Sequence, residues 1–254
     1  MPEKISSDFL PGFYSGLSGL QLLIPKYRFP PPYENASRLT YYASIFNSIE
    51  INRSFYKVPL PATTAAWESS VPGDFRFTFK LWKDITHTSE LNFKNEDVLL
   101  FMRSINSIQH KKGCLLIQFP PTLRIAFTYR LVELLSLIKE YNSNWRIAVE
   151  FRNKSWYNES TFELLNLFNA ALVIHDIPGS ATPYASHTQN FIYLRFHGPT
   201  GNYRGSYTDD FLHEYAGYIN EWRAEGKEIY LYFNNTMGDA YQNLVAINKM
   251  INKR

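Results

Sequence analysis

Cysteine is nearly absent: Cys114 is the single one in 254 residues, which excludes an internal disulfide and any zinc site built from cysteine pairs. No apolar run reaches the roughly 18 residues that span a bilayer. The longest, Cys114 to Phe119, already contains Gln118. Residues Met1 to Asp8 are polar and lack the apolar stretch of a secretory signal, so a reduced, cytoplasmic location with no membrane partner is expected. Charge of one sign is scarce as well, and a formal net charge of +3 is too small to argue for nucleic acid or a membrane surface by itself. Two motifs are also missing. Gly16 and Gly19 lie in a Gly-Leu-Ser-Gly run without the spacing or the following helix of a dinucleotide loop. No compact His-Glu-x-x-His metal motif occurs.

Aromatics, in contrast, are abundant. They make up 17% of the chain, from 19 Phe, 18 Tyr and 5 Trp. Disordered chains are poor in such residues, so a large core and an aromatic-lined cleft are expected.

Short β-branched and aromatic runs bounded by turn residues mark eight strands: Phe13–Gly19, Ser48–Phe55, Arg76–Trp82, Cys114–Phe119, Arg146–Phe151, Ala171–Asp176, Phe191–Phe196 and Glu228–Phe233. Segments of helical periodicity separate most of them: Asn35–Phe46, Thr63–Ser70, Asn95–His110, Phe127–Tyr141, Ser160–Phe168, Asp209–Ala224 and Asp239–Ile251. Asn35, Ser160 and Thr208 are expected as N-caps. Eight strands alternating with helices in this length predict an α/β fold, a single TIM (β/α)8-type barrel domain over residues 1–254. The spacing between strands six and seven is short, so one outer helix is expected to be reduced to a loop, Pro178–Asn190.

Strands of such a barrel are buried on both faces, so charged residues within them are costly unless paired or functional. Here they gather at the C-terminal strand ends, where barrel enzymes place their chemistry. Strand two ends in Glu50, Asn52 and Arg53, and strand three in Lys80 with His87 beyond it. Strand four ends in Gln118, strand five in Glu150 and Arg152, and strand six in His175 and Asp176. Strand seven ends in Arg195 and His197, and strand eight in Asn234 and Asn235. Alternation puts Ala148, Glu150 and Arg152 on one face of their strand, with Ile147, Val149 and Phe151 on the other. Glu50 pairs with Asn52 in the same way, and Arg195 with His197.

Glu50 and Glu150 can therefore face each other across the mouth as a general acid and base. The same residues also fit a buried network in which Arg53, Arg152 and Arg195 tie strands together. His197 and His87 are candidate proton shuttles or phosphate partners, and His175 is either a ligand or a hydrogen-bonded structural histidine. His110, His187 and His213 are expected to be solvated. No cofactor is evident; a divalent ion held by Glu50, Glu150, Asp176 and His197 is the alternative weighed. Arg53, Lys80, Arg152 and Arg195, with Gln118, Asn234 and Asn235, suit an anionic or polyhydroxylated ligand. Phe55, Tyr56, Trp82, Phe119, Trp156, Tyr203, Tyr207 and Phe233 are candidate stacking surfaces around it.

Several of these runs carry a resemblance. They are Ile49-Glu50-Ile51-Asn52-Arg53-Ser54-Phe55-Tyr56, the Phe75–Lys80 strand with Ile85-Thr86-His87, and Leu116-Ile117-Gln118-Phe119-Pro120-Pro121. Val149-Glu150-Phe151-Arg152-Asn153-Lys154-Ser155-Trp156, Arg195-Phe196-His197-Gly198, Tyr203-Arg204-Gly205-Ser206-Tyr207 and Tyr232-Phe233-Asn234-Asn235 complete the set. Together they resemble the YecE-like family, domain of unknown function 72, in order and over nearly the whole chain. The resemblance implies a single TIM-barrel domain and supplies no reaction. Two positions depart from it: Leu20 follows Gly19 where relatives carry Trp, and Thr236 follows the Asn-Asn pair where relatives carry Asp.

Three functions fit these residues. One is a hydrolase or lyase acting on a sugar, a phosphorylated sugar or a nucleic-acid fragment. In it Glu50, Glu150 and His197 are catalytic, while Asn52, Lys80, His87, Gln118, Arg152, Asp176, Arg195, Tyr203, Tyr207, Asn234 and Asn235 bind the ligand. The second is a non-catalytic protein that holds nucleic acid or a phosphorylated metabolite. The third is a scaffold stabilised by buried charge networks. The density of polar strand ends favours the enzyme.

Overall fold

The structure, a computed structural model, describes residues 10–183 and 191–251. His187, Met1 to Asp8 and the later part of the Pro178–Asn190 connection lie outside the described residues. Parallel strands and helices alternate along the chain: β1 (Phe13–Leu17), α1 (Arg38–Ala43), β2 (Ser48–Ile51), α2 (Pro61–Ser69), β3 (Arg76–Lys80), α3 (Lys83–Thr86), α4 (Asn95–Ile105), β4 (Lys112–Gln118), α5 (Thr128–Tyr141) and β5 (Arg146–Glu150) follow one another. Then come α6 (Glu159–Leu167), β6 (Ala170–Leu172), β7 (Ile174–His175), β8 (Phe191–Phe196), α7 (Asp209–Ala224), β9 (Glu228–Phe233) and α8 (Ala240–Ile251). No helix among the described residues is long and apolar enough to cross a membrane.

The strands form two parallel sheets, β1-β9-β8-β7 and β2-β3-β4-β5-β6, giving a barrel-like α/β fold. β6 and β7 are the halves of the expected sixth strand, parted at Val173, whose N–H still donates to Val149 O at 2.8 Å. At the other seam, β1 meets β2 through a single bridge, Ser18 to Glu50. Side chains replace the missing ladder there. Asn47 Nδ2 donates to Phe13 O (2.7 Å) while its Oδ1 accepts from Ser15 N (2.9 Å). Tyr42 Oη accepts from Leu17 N (2.8 Å) and donates to Ser48 O (3.0 Å).

Strand alternation sorts the core into two parts. Ile147, Val149 and Phe151 join the large cluster between strands and helices, whereas Ala148 packs inward with Cys114, Leu116, Ala171, Val173, Tyr193, Tyr230 and Tyr232. The tyrosine hydroxyls in this interior need partners. Tyr232 Oη finds Ser48 Oγ (2.6 Å) and Thr78 Oγ1 (2.8 Å).

Helix starts differ in detail from expectation. Thr208 caps α7 as expected, but Ser37 rather than Asn35 caps α1, and Asn158 rather than Ser160 caps α6. Asn158 Oδ1 accepts from Thr161 N (3.0 Å), and Ser160 donates its hydroxyl to the same oxygen. The one-turn helix α3 was not anticipated from sequence, because four residues carry no periodicity. Between β7 and β8 the described residues up to Pro183 form no helix.

Candidate functional site

Inward positions at the C-terminal ends of β2, β5 and β8 meet in one charge network. Glu50 is fully buried and accepts hydrogen bonds from Ser18 Oγ (2.6 Å), Tyr193 Oη (2.5 Å), and Arg195 Nε and Nη2 (3.1 and 2.9 Å). Arg195 reaches onward through Nη1 to Glu150 Oε2 (3.1 Å) and His197 Nε2 (3.0 Å), and through Nη2 to Asn52 Oδ1 (3.3 Å). Every polar edge of this guanidinium is therefore engaged. Arg152 closes the network from above, bonding Glu150 Oε1 and, through Nη2, His197 Nε2 (3.0 Å).

The protonation state of His197 follows from donor chemistry. Two guanidinium groups can only donate, so Nε2 accepts and Nδ1 carries the proton toward Asp176 Oδ1 at 3.2 Å. Burial lowers its pKa to about 4, against the hydrogen bond to Asp176 and with Arg195 adding to the fall. Asp176 is itself held by His197 N (2.9 Å) and by Tyr207 Oη, which also accepts from Gly198 N (2.6 Å). Burial, then Asp176, pushes the Tyr207 hydroxyl upward. The loop carrying Tyr203 folds over this end. Tyr203 N donates to His197 O (2.8 Å) and its ring lies 5.7 Å from the imidazole.

Burial raises the Glu50 carboxyl, but Arg195 together with Ser18 and Tyr193 outweighs it, and the net direction is down. Glu150 is likewise raised by burial and drawn well below the usual range by Arg152 and Arg195. Both carboxylates are thus held ionised. Both carboxylates shift in the same direction, and both take part in a buried ion-pair network. Its membership needs one correction: Arg53 turns outward to line a separate groove of about 370 Å3 with Lys57, Leu60 and Trp67. Among the described residues no group of three or more His, Cys, Asp or Glu is arranged to hold a metal. Guanidinium groups face the oxygens of Glu50 and Glu150 and the Nε2 of His197, so this donor set does not fit a divalent cation.

Other expected ligand residues divide. Asn235 is fully buried and donates Nδ2 to Gly205 O and Asn243 Oδ1 (both 3.0 Å), which fixes a loop. Gln118 donates to Phe119 O (2.8 Å). His175 gives Nε2–H to Phe151 O (2.9 Å) and accepts at Nδ1 from Ile177 N (3.3 Å), so it is a satisfied structural histidine. Phe119, Trp156, Tyr207 and Phe233 belong to the core, while Tyr56 and Tyr203 are exposed. His110 and His213 are exposed as expected.

Two cations at the mouth keep unused donors. Arg152 Nη1 makes no hydrogen bond among the described residues. Lys80 Nζ makes neither a hydrogen bond nor an ion pair among them and sits 4.0 Å above the Phe55 ring. Burial first, then Arg195, lowers the Lys80 pKa to about 7 against the pull of Glu150 and Glu50. His87 is exposed, yet its ring packs edge-on against Phe55 (4.9 Å) with Nδ1 on Thr86 Oγ1 (2.9 Å). Desolvation there, with Lys80 and Arg152 near, lowers its pKa to about 4. Asn52 Nδ2 donates to Asn234 Oδ1 at 3.4 Å. Sequence reasoning missed Ser18 and Tyr193; Tyr193 lies two residues before Arg195, so the period of the strand already put it on the same face.

Comparison with known proteins bears on the whole chain. The family model "Protein of unknown function DUF72" matches residues 19–254. The chain belongs to this family. UPF0759 protein YunF of Bacillus subtilis (strain 168) is 26% identical over 246 residues, covering 85% of this chain and 86% of that protein. UPF0759 protein YecE of Escherichia coli (strain K12) is 31% identical over 81 residues, 32% of this chain and 30% of that one. A crystal structure of a DUF72 family protein from Enterococcus faecalis V583 superposes with a TM-score of 0.78 at 24% identity, covering 95% of this chain and 96% of that chain. Another from Thermotoga maritima MSB8 gives 0.71 at 27% identity, covering 95% and 99%. Leu20 and Thr236, the two positions expected from the sequence to depart from the family pattern, line one groove of about 360 Å3, where Gln21 Nε2 donates to Thr236 O (2.8 Å).

Proposed function

We propose that this DUF72 chain is a one-domain, closed eight-stranded barrel enzyme, a lyase or hydrolase, that takes a small anionic or sugar-containing molecule at the C-terminal mouth. One observation carries this reading: after Glu50 and Glu150 are satisfied by Arg195 and Arg152, the Arg152 guanidinium, through Nη1, and the Lys80 amine remain with free donors on one rim. Such groups recognise carboxylate or phosphate oxygens. Asn52 and Asn234 lie where amides would read hydroxyl groups. Glu150 and His197 act in this reading as positioning residues that aim Arg152, rather than as groups that exchange protons.

Thermal unfolding with added ligand tests the reading. Inorganic phosphate and sugar phosphates should raise the melting temperature, because a ligand that binds only the folded state stabilises it by mass action. The matching neutral sugars should have a smaller effect. Equal melting temperatures with and without the anions would count against an anion site. Product formation from a stabilising compound separates an enzyme from a protein that only binds it.

A further inference from the structure

Lys80 is the last residue of β3, two residues after Thr78, whose hydroxyl bonds the interior Tyr232, so strand alternation puts it on the inward face. Its side chain is about nine-tenths buried. Two carboxylates lie among its charged neighbours, yet no ion pair forms. The oxygens of both are engaged by other donors: Glu50 accepts from Ser18, Tyr193 and Arg195, and Glu150 from Arg152 and Arg195. The amine instead sits over the Phe55 ring, 4.0 Å from its centroid, with Arg195 and Arg152 also among its charged neighbours. Phe55 also carries the His87 ring, so one aromatic wall holds both groups. Burial, with Arg195 adding to it against Glu150 and Glu50, makes an unpaired amine in such a partly dry pocket lose its proton readily.

We propose that Lys80 is a nucleophile that forms a Schiff base with a carbonyl compound bearing a carboxylate or phosphate. The inference rests on the anion-site reading above and deepens it. In the step, the Nζ lone pair forms a bond to the carbonyl carbon while the C=O π electrons move to oxygen, and the proton that the new ammonium nitrogen gives up passes through water to that oxygen. The resulting carbinolamine takes one proton from solvent on its hydroxyl group, which leaves as water while the nitrogen lone pair forms the iminium. Nothing is oxidised or reduced. Arg152 Nη1 holds the anionic group, and the iminium serves as the electron sink for breaking or making the adjacent carbon–carbon bond, which is lyase chemistry. With a pKa near 7, a large share of the Lys80 amine is neutral at physiological pH.

Pyridoxal 5′-phosphate, an aldehyde that carries a phosphate, is the probe. The wild-type protein is incubated with less than one equivalent at pH 7, reduced with borohydride and mapped by peptide mass. A solvated lysine amine is neutral there to roughly one part in a thousand, so Lys80 should be labelled about tenfold or more above the surface lysines. Inorganic phosphate should suppress the label. Lys80→Arg should abolish it while keeping the thermal stabilisation by phosphate. Label spread over surface lysines with none at Lys80, together with intact stabilisation by phosphate, would overturn the nucleophile and leave the anion site standing. Failure of both labelling and stabilisation would overturn both. Because the mapping uses wild-type protein, the outcome does not depend on the variant folding.

Discussion

Arg195 and Glu50, 145 residues apart in the chain, face each other inside the barrel-like sheet with the guanidinium Nε 3.1 Å from both carboxylate oxygens. Neither side chain is appreciably exposed. Removing one member of such a pair strands a buried charge, at about 3–5 kcal/mol. Arg195→Met leaves both Glu50 and Glu150 short of a partner, so denaturant unfolding should show a loss at the top of that range or beyond. Arg53→Met, at an exposed position in the same family motif, should stay within about 0.5 kcal/mol.

Acid sensitivity has a defined window. His197 binds its proton at about 4 in the folded protein and at roughly 6.5 when unfolded. Between those values the unfolded state holds the extra proton, so stability is full above about 6.5 and falls by roughly 3 kcal/mol as the pH drops through the window. His175, also lowered by burial, adds to the same fall. Glu50 and Glu150 have lowered pKa values, so their contribution is present above the unfolded carboxylate range and disappears only at still lower pH. His197→Asn should flatten the upper part of the stability–pH curve and leave the lower part intact.

Tyr207→Phe removes the hydroxyl that bonds Asp176 and accepts from Gly198 N. Leaving buried polar groups unmatched should destabilise the protein by about 1–3 kcal/mol. Asp176 would also lose a competitor for His197, so the imidazole pKa should rise; an NMR titration of the His197 ring reads this directly.

Two glycines should respond oppositely to Ala. A Cβ on Gly16 would lie 2.0 Å from Ser48 O, at the seam where β1 and β2 lack a ladder. Gly16→Ala should therefore destabilise by about 1–3 kcal/mol or more. Gly217 sits within α7 with nothing near its missing Cβ, so Gly217→Ala should stabilise by about 0.5–1 kcal/mol. Paired thermal melts distinguish the two.

Much of the architecture was legible in the sequence because it follows from local period. Alternation in Arg146–Phe151 separated Ile147, Val149 and Phe151 from Ala148 and Glu150, and the two cores keep that division. The family motifs identified the same strand ends, and the DUF72 match covers them. Cap positions were off by two residues at α1 and α6, since Asn35 and Ser37, or Asn158 and Ser160, are chemically equivalent candidates. Which one caps depends on where the first helical turn closes.

Residue pattern alone marked polar groups at the C-terminal ends of seven expected strands and put Glu150 with Arg152, Glu50 with Asn52, and Arg195 with His197 on shared strand faces. Tertiary structure decided how they pair. Guanidinium donors consume the carboxylates and the His197 lone pair, Arg53 leaves the rim, and Lys80 and Arg152 Nη1 are left with donors unused. The physical reason is that hydrogen bonds saturate: each oxygen and each N–H accommodates few partners. A side chain's chemistry at this mouth therefore depends on which neighbours, up to 145 residues away, have already filled its bonds.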